Sequence, residues 1–205
     1  LTINGGTVQA VDGNDGDLDV ISGSITIAAG ANLLVDESIQ VFNGASITVG
    51  GSLRSQDSFI DIDAGGTITV SATGTIQSSS TGGNEDILIQ GTLINNGTVD
   101  SDEDIIVSAT GVITNSSSGT LQADDDIDIN GSVTNAGVID SNDDLVISGS
   151  LISSGQVSAN DDIEVNGGSV TISAGGTLDT GDDLFINNGG SFTIATGASI
   201  VIDDD

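Results

Sequence analysis

The chain has 205 residues, with 31 Asp and Glu against a single basic residue and a net charge of -30. That balance argues against nucleic acid and anionic membrane surfaces as partners, because no basic patch exists to meet phosphate. Cysteine is absent and no apolar run approaches the length of a membrane span, so neither disulfide staples nor membrane insertion is expected.

Acidic, low-complexity chains are often disordered. Here the hydrophobic fraction of 36% is nearly all Ile, Val, Leu and Ala at regular spacing, so an ordered chain is expected. The sequence opens at Leu1 without Met or a signal peptide, which fits removal of a targeting segment or a piece cut from a longer chain. Small, oxidation-resistant residues with no lysine suit an abundant protein outside the cell or on its surface.

In chain order, one phrase recurs: two acidic residues, an aliphatic, any residue, an aliphatic, then a polar residue and glycine. It reads Asp143-Asp144-Leu145-Val146-Ile147-Ser148-Gly149 and Asp161-Asp162-Ile163-Glu164-Val165-Asn166-Gly167. Two aliphatic columns follow. The first is Leu1, Leu18, Ile39, Ile60, Ile87, Ile105, Ile127, Leu145, Ile163 and Leu184. The second, two residues on, is Ile3, Val20, Val41, Ile62, Ile89, Val107, Ile129, Ile147, Val165 and Ile186. Pairing at i and i+2 is strand period. A second strand follows each glycine, as in Ser46-Ile47-Thr48-Val49 and Thr67-Ile68-Thr69-Val70. A third follows another glycine, as in Gly97-Thr98-Val99-Asp100. A repeat this short cannot bury its own apolar face and must stack on copies of itself. The expectation is an all-β chain: one parallel β-helix, or β-solenoid, of about ten coils. Each coil holds about three short strands. Residues 1–205 form a single domain, uncapped at both ends. The longest insertion, Ser78-Ser79-Ser80-Thr81-Gly82-Gly83, is predicted to be a protruding polar loop.

These Asp-Asp-Ile-x-Ile-x-Gly coils resemble the parallel β-helix repeats of bacterial surface proteins of the filamentous-haemagglutinin and autotransporter-passenger types. The resemblance spans the whole chain and is architectural. The Gly-Gly-x-Gly-x-Asp nonapeptide of calcium-binding toxin repeats is absent; Asp12-Gly13-Asn14-Asp15-Gly16-Asp17 comes nearest.

The paired acids stack on six consecutive coils: Glu85 and Asp86, Glu103 and Asp104, Asp125 and Asp126, Asp143 and Asp144, Asp161 and Asp162, Asp182 and Asp183. Like charges about 5 Å apart repel by about 1 kcal/mol per pair even in water. Bound cations or raised carboxylate pKa values relieve that repulsion. Calcium takes oxygen ligands in flexible geometry, and Asn84, Asn142, Asn160, Ser101 and Ser141 stand nearby as further oxygen donors. The expectation is a calcium ladder along this edge, against the alternative of a solvated acidic edge that keeps the rod soluble.

Outward Ser/Thr pairs of the second strand, Ser24/Thr26, Ser46/Thr48, Thr67/Thr69, Ser132/Thr134, Ser169/Thr171 and Ser191/Thr193, resemble the ice-binding face of antifreeze solenoids. They make an ice or mineral surface, or a neutral glycan, a candidate partner. Thr92/Ile94, Gly111/Ile113 and Ser150/Ile152 interrupt that face, and Thr suits any exposed strand. Catalysis is not expected. The Asp pairs repeat on nearly every coil where an active site would break its repeat, and His, Lys, Tyr and Cys are absent. The one basic residue, Arg54, is expected to relieve charge near Asp57. Phe42, Phe59 and Phe185 are candidate lateral contacts.

The termini offer one more pattern. Written tail to head, Asp204-Asp205-Leu1-Thr2-Ile3-Asn4-Gly5-Gly6 restores the phrase. Leu1, Ile3, Ile200, Ile202, Asp204 and Asp205 are therefore the expected self-assembly interface of a head-to-tail homopolymer. The functional expectation is a structural extracellular filament or surface-layer protein. The alternatives are a stalk segment of a large calcium-dependent adhesin and an ice- or crystal-binding protein.

Overall fold

The computed structural model describes residues 1–10, 16–79 and 86–203. Among them there is no helix; strands of two to five residues wind into three parallel sheets. The acidic phrase supplies one sheet of nine strands, from Leu18–Val20 to Leu184–Asn187. The Ser/Thr strands form a second sheet of ten, from Thr2–Ile3 to Ser191–Ile194. A third sheet of ten runs from Gly6–Ala10 to Ser199–Ile202. The chain is a β-solenoid of about nine turns with three strands per turn. At about 4.8 Å per level, ten levels make a rod on the order of 50 Å long.

Register is in phase along the rod. Ile87 pairs with Ile105, Ile105 with Ile127, Ile127 with Leu145 and Leu145 with Ile163. Alternation of side chains then points one residue of every pair inward and its neighbour outward. Inward Ile47, Leu53, Ile68, Leu93, Ile105 and Ile163 are all fully buried. Each such side chain contributes about 1.5–3 kcal/mol of transfer free energy. The three columns meet in one core that runs the length of the chain.

One expectation is corrected at the start of the chain. Thr2 and Ile3 pair with Thr26 and Ile27, in the second sheet. Leu1 and Ile3 therefore do not head the columns of the acidic phrase, and that sheet has nine strands rather than ten. The tail-to-head reading of Leu1-Thr2-Ile3 as a restored acidic phrase fails with it. All three sheets use an aliphatic-x-aliphatic pattern, so three residues alone do not specify a sheet. Here Gly6, at φ 73°, turns the chain into a strand aligned with Ala31–Val35. The expected loop from Ser78 is corrected in part as well. Ser78 ends the strand Thr75–Ser78 and is buried, as is Ser79; Ser80 to Gly83 lie outside the described residues.

Corners between sheets are too tight for side chains. A Cβ on Gly131 would collide with the carbonyl oxygen of Gly111 one coil below, and one on Gly97 with that of Gly74. Glycine at these positions reflects close backbone approach between coils.

The corner from second to third sheet is lined by side-chain amides. Asn95, Asn115 and Asn135 are buried and stacked. The Asn95 Nδ2 donates to Asn115 Oδ1 at 2.9 Å, Asn115 Nδ2 to Asn135 Oδ1 at 2.8 Å, and Asn135 Nδ2 to Ser153 Oγ at 3.0 Å. Each amide also donates to a carbonyl of the third-sheet strand one coil on: Thr120, Val138 and Gln156 respectively. A buried polar group is tolerated where its partners are made. The ladder achieves that by passing one hydrogen bond per coil along the axis.

Candidate functional site: the acidic edge

The paired acids occupy the corner between the third sheet and the phrase sheet. Its inner wall is tied by buried hydroxyls. Ser141 Oγ donates to the carbonyls of Asp125 at 2.8 Å and Asp144 at 2.7 Å; Thr180 Oγ1 does so to Asp161 and Asp183; Ser101 Oγ donates to Asp104. Ser101 and Ser141 are buried with these hydroxyls engaged in the corner backbone. They are therefore structural pins rather than the cation ligands expected from the sequence.

The second acid of each pair forms a second ladder. The backbone N–H of Asp126 donates to Asp104 Oδ1 at 3.0 Å. That of Asp144 donates to Asp126 Oδ1 at 2.8 Å, that of Asp162 to Asp144 Oδ1 at 2.9 Å and that of Asp183 to Asp162 Oδ1 at 2.9 Å. Near the start of the chain, Asp17 Oδ1 accepts from both the N–H and Oγ of Ser38. Each carboxylate thus caps the amide of the coil above it. An amide-to-carboxylate bond is charge-assisted and stronger than a neutral one. This is a structural reason for an acid to recur at this position, independent of any ion.

In four of the pairs the first acid is exposed, at Asp125, Asp143, Asp161 and Asp182, while Glu103 is half-buried. Carboxylate oxygens from Asp125, Asp126 and Asp143 lie within 4.8 Å of one another, as do those of Asp143, Asp144 and Asp161, and of Asp162, Asp182 and Asp183. Partial desolvation against the corner wall, then the charges of Asp144, Asp161 and Asp125, push the Asp143 carboxyl above the usual range. Asp126 is also raised, chiefly by desolvation and against the lowering pull of the Asp144 amide. Clustered, raised carboxylates at oxygen–oxygen distances of this size are chemistry suited to a hard, oxygen-seeking cation.

Among the described residues, Asp86, Glu103 and Asp104 do not enter these groups; Asp104 serves as a ladder cap, and Glu85 lies outside the described residues, with Asn84. Asn142 and Asn160 are exposed. The Asn142 Nδ2 donates to Asp124 Oδ1 and the Asn160 Nδ2 to Asn142 Oδ1, a third file beside the acids.

The second sheet presents its hydroxyls outward in two columns held in register. One carries Thr26, Thr48, Thr69, Ile94, Thr114, Thr134, Ile152, Thr171 and Thr193. The expected interruption Gly111/Ile113 is corrected to Val112/Thr114: Ile113 is buried and Val112 stands outside, 43% exposed. Arg54 does not pair with Asp57; its Nε donates to Ser79 Oγ at 2.9 Å.

At the far end of the rod, Ile186, Ile194 and Ile202 continue the inward columns of Val165, Ile172 and Thr180. They are 50%, 52% and 49% exposed, because no coil follows them among the described residues. Ile200 packs partly into the core. At the other end Leu1 is exposed and Ile3 is buried; Asp204 and Asp205 lie outside the described residues.

No protein-family model matches this sequence, and no curated protein matches it. Among solved structures, a hyper-glycosylated TibA fragment, glycosylated by TibC, aligns with 16% identity over 98% of this chain and 97% of that one. The TM-score is 0.24, below the level at which two folds are alike.

Proposed function

We propose that this chain is a structural β-solenoid of the cell exterior, whose coils continue end to end in a filament or surface layer and whose acidic edge takes up calcium. The observation that carries the reading is the in-phase stacking of all three sheets along the whole rod, up to Ile186, Ile194 and Ile202 in the last described coil. Three aliphatics in inward register are half exposed, beside strand edges that template further pairing. A coil laid over them would bury that surface and extend all three sheets. The covering coil belongs to a second copy in the filament reading, with Leu1, Ile3, Ile200 and Ile202 nearest the junction. In the adhesin-stalk reading it belongs to the same, longer polypeptide.

Calcium fits the exposed carboxylates of Asp125, Asp143, Asp161 and Asp182 together with the outer oxygens of Asp126, Asp144, Asp162 and Asp183. It would neutralise charge where the files are closest. Electron microscopy of the purified chain tests the assembly. Rods several times longer than one solenoid support the filament; monodisperse single solenoids, with filaments absent at any calcium level, refute it and leave the stalk.

The hydroxyl columns support a second reading, a surface that docks on ice or a mineral lattice. Threonine recurs at strand spacing on one face, in register from Thr26 to Thr69. Thermal hysteresis, abolished by Thr48→Lys, is the expected signature, and its absence removes this reading.

A further inference from the structure

Along the phrase sheet the acid before the first inward aliphatic is replaced on two adjacent coils. Ser38 stands before Ile39, and the coil of Ile60–Ile62 places Phe59 there. Directly above and below, the outward residues Gln40, Asp61 and Leu88 stack in register. Together with Phe59 and Asp86 they line a pocket of about 240 Å³.

Asp19, Asp128 and Glu164 hold the same outward position on other coils but are exposed or half-buried; Asp61 differs from them in its burial. It is an outward strand residue, yet only 8% of its surface is exposed. Its Oδ1 is buried without any hydrogen-bond partner. A buried carboxylate oxygen left unpaired costs more than almost any other single group in a fold. Burial, and then the charge of Asp63, push its carboxyl up to about 6. At neutral pH it is nonetheless mainly ionised, so the pocket holds an uncompensated negative charge beside an aromatic ring. Such a group calls for a partner, and a ligand in the pocket can supply it.

We propose that this pocket binds the ammonium head of an alkylamine. The ammonium would pair with the Asp61 carboxylate and lie near the Phe59 ring, while the alkyl stem packs on Phe59 and Leu88. Three observations select this ligand. The unpaired atom accepts hydrogen bonds and carries negative charge, which calls for a cationic donor. Phe59 and Leu88 give the pocket apolar walls, which suit a hydrocarbon stem, whereas a hydrated metal ion needs oxygen on most sides. The volume exceeds that of one ion. This chain has no lysine, so the amine comes from another molecule, as a small amine or as a lysine side chain.

The test is titration of the purified chain at physiological ionic strength with n-butylammonium, n-butanol and calcium chloride, followed by NMR of the Asp61 and Leu88 signals. Saturable shifts with n-butylammonium alone are expected, without matching shifts at Asp143 and Asp161. Asp61→Asn should weaken binding about tenfold or more, as loss of the charge partner requires. Phe59→Leu, which keeps Asp61, should weaken it several-fold. An equal response to n-butanol, calcium binding at Asp61 in place of the amine, or unchanged binding in Asp61→Asn would overturn the proposal. Nα-acetyl-lysine methylamide separates the sources: binding as tight as n-butylammonium assigns a protein lysine, and binding of the free amine alone assigns a small molecule.

Discussion

Two corners of the same coil solve one problem by different means. At the corner from second to third sheet, Asn95, Asn115 and Asn135 are buried and pass neutral hydrogen bonds from coil to coil. At the corner leading into the phrase sheet, Asp104, Asp126, Asp144 and Asp162 do the equivalent for backbone amides, but partly exposed and charged. An amide is both donor and acceptor, so it can stack in the dry interior with every partner satisfied. A carboxylate only accepts, so its files accumulate charge and must face water or cations. The solenoid thus has one corner indifferent to solution conditions and one that responds to them.

The largest effect is expected from breaking the neutral ladder. Asn115→Ala takes one of its two acceptors from the Asn95 amide and removes the donor to Asn135 Oδ1 and to the Val138 carbonyl inside the core, and should cost about 3 kcal/mol in urea unfolding. That loss should be the same at pH 5 and pH 7.5, and in low and high salt.

The charged face should behave in the opposite way. Desolvation raises the carboxyls of Asp61, Asp126, Asp128 and Asp143 above the ordinary aspartate value of 3.8 in the folded state. A raised pKa means that the folded state holds protons the unfolded state has released. Stability should therefore rise as pH falls from neutral through the raised values, and level off near the ordinary carboxylate range. For Asp61 the window runs from about 6 down to 3.8. Its share is up to about 3 kcal/mol at 1.36 kcal/mol per pKa unit. Asp61→Asn should accordingly stabilise the chain at pH 7.5 and remove much of the slope between pH 6 and pH 4. A melting temperature that falls steadily on acidification from pH 7.5 to pH 5 would contradict this.

A smaller effect separates the two functions of the second acid file. Asp144→Ala loses the cap on the Asp162 amide and should cost about 1 kcal/mol, as helix-cap and exposed hydrogen-bond deletions do. Asp144→Asn keeps an acceptor oxygen and sheds a charge, so it should be neutral or slightly stabilising in chelator. Smallest is the effect of calcium. Millimolar calcium should raise the melting temperature by about 2–4 °C, the size of a 1 kcal/mol gain in a chain of this length. Chelator should reverse the gain, and Asp143→Asn combined with Asp161→Asn should abolish it. No change with calcium would leave the acidic edge as a solvated surface.

Much of the fold was legible because the aliphatic columns repeat at strand period. Ile87, Ile105, Ile127, Leu145 and Ile163 were assigned to one column, and they pair in that order. What failed was local phase. Leu1-Thr2-Ile3 satisfies the pattern of any of the three sheets, and only pairing with Thr26 and Ile27 places it. Gly111/Ile113 was read one residue out of phase, because a one-residue slip exchanges inside for outside. At the acidic edge the stacked pairs were visible in the sequence, but the division of labour within them was not. Which carboxylate caps an amide and which faces solvent depends on corner geometry. The Asn ladder left a signal, asparagine two residues before glycine at Asn95 and Asn135 and four before it at Asn115. That signal reads equally as turn composition. Asp61 looked like any outward acid, and its burial comes from contacts between coils.

The central claim, that coils continue past the last described coil, is tested most directly by electron microscopy of the purified chain in millimolar calcium. Filaments many times the ~50 Å expected for one solenoid from strand spacing are predicted, shortening when Ile194→Asp and Ile202→Asp place charge on the exposed end. Uniform particles of single-solenoid length, unaffected by those substitutions, would contradict it.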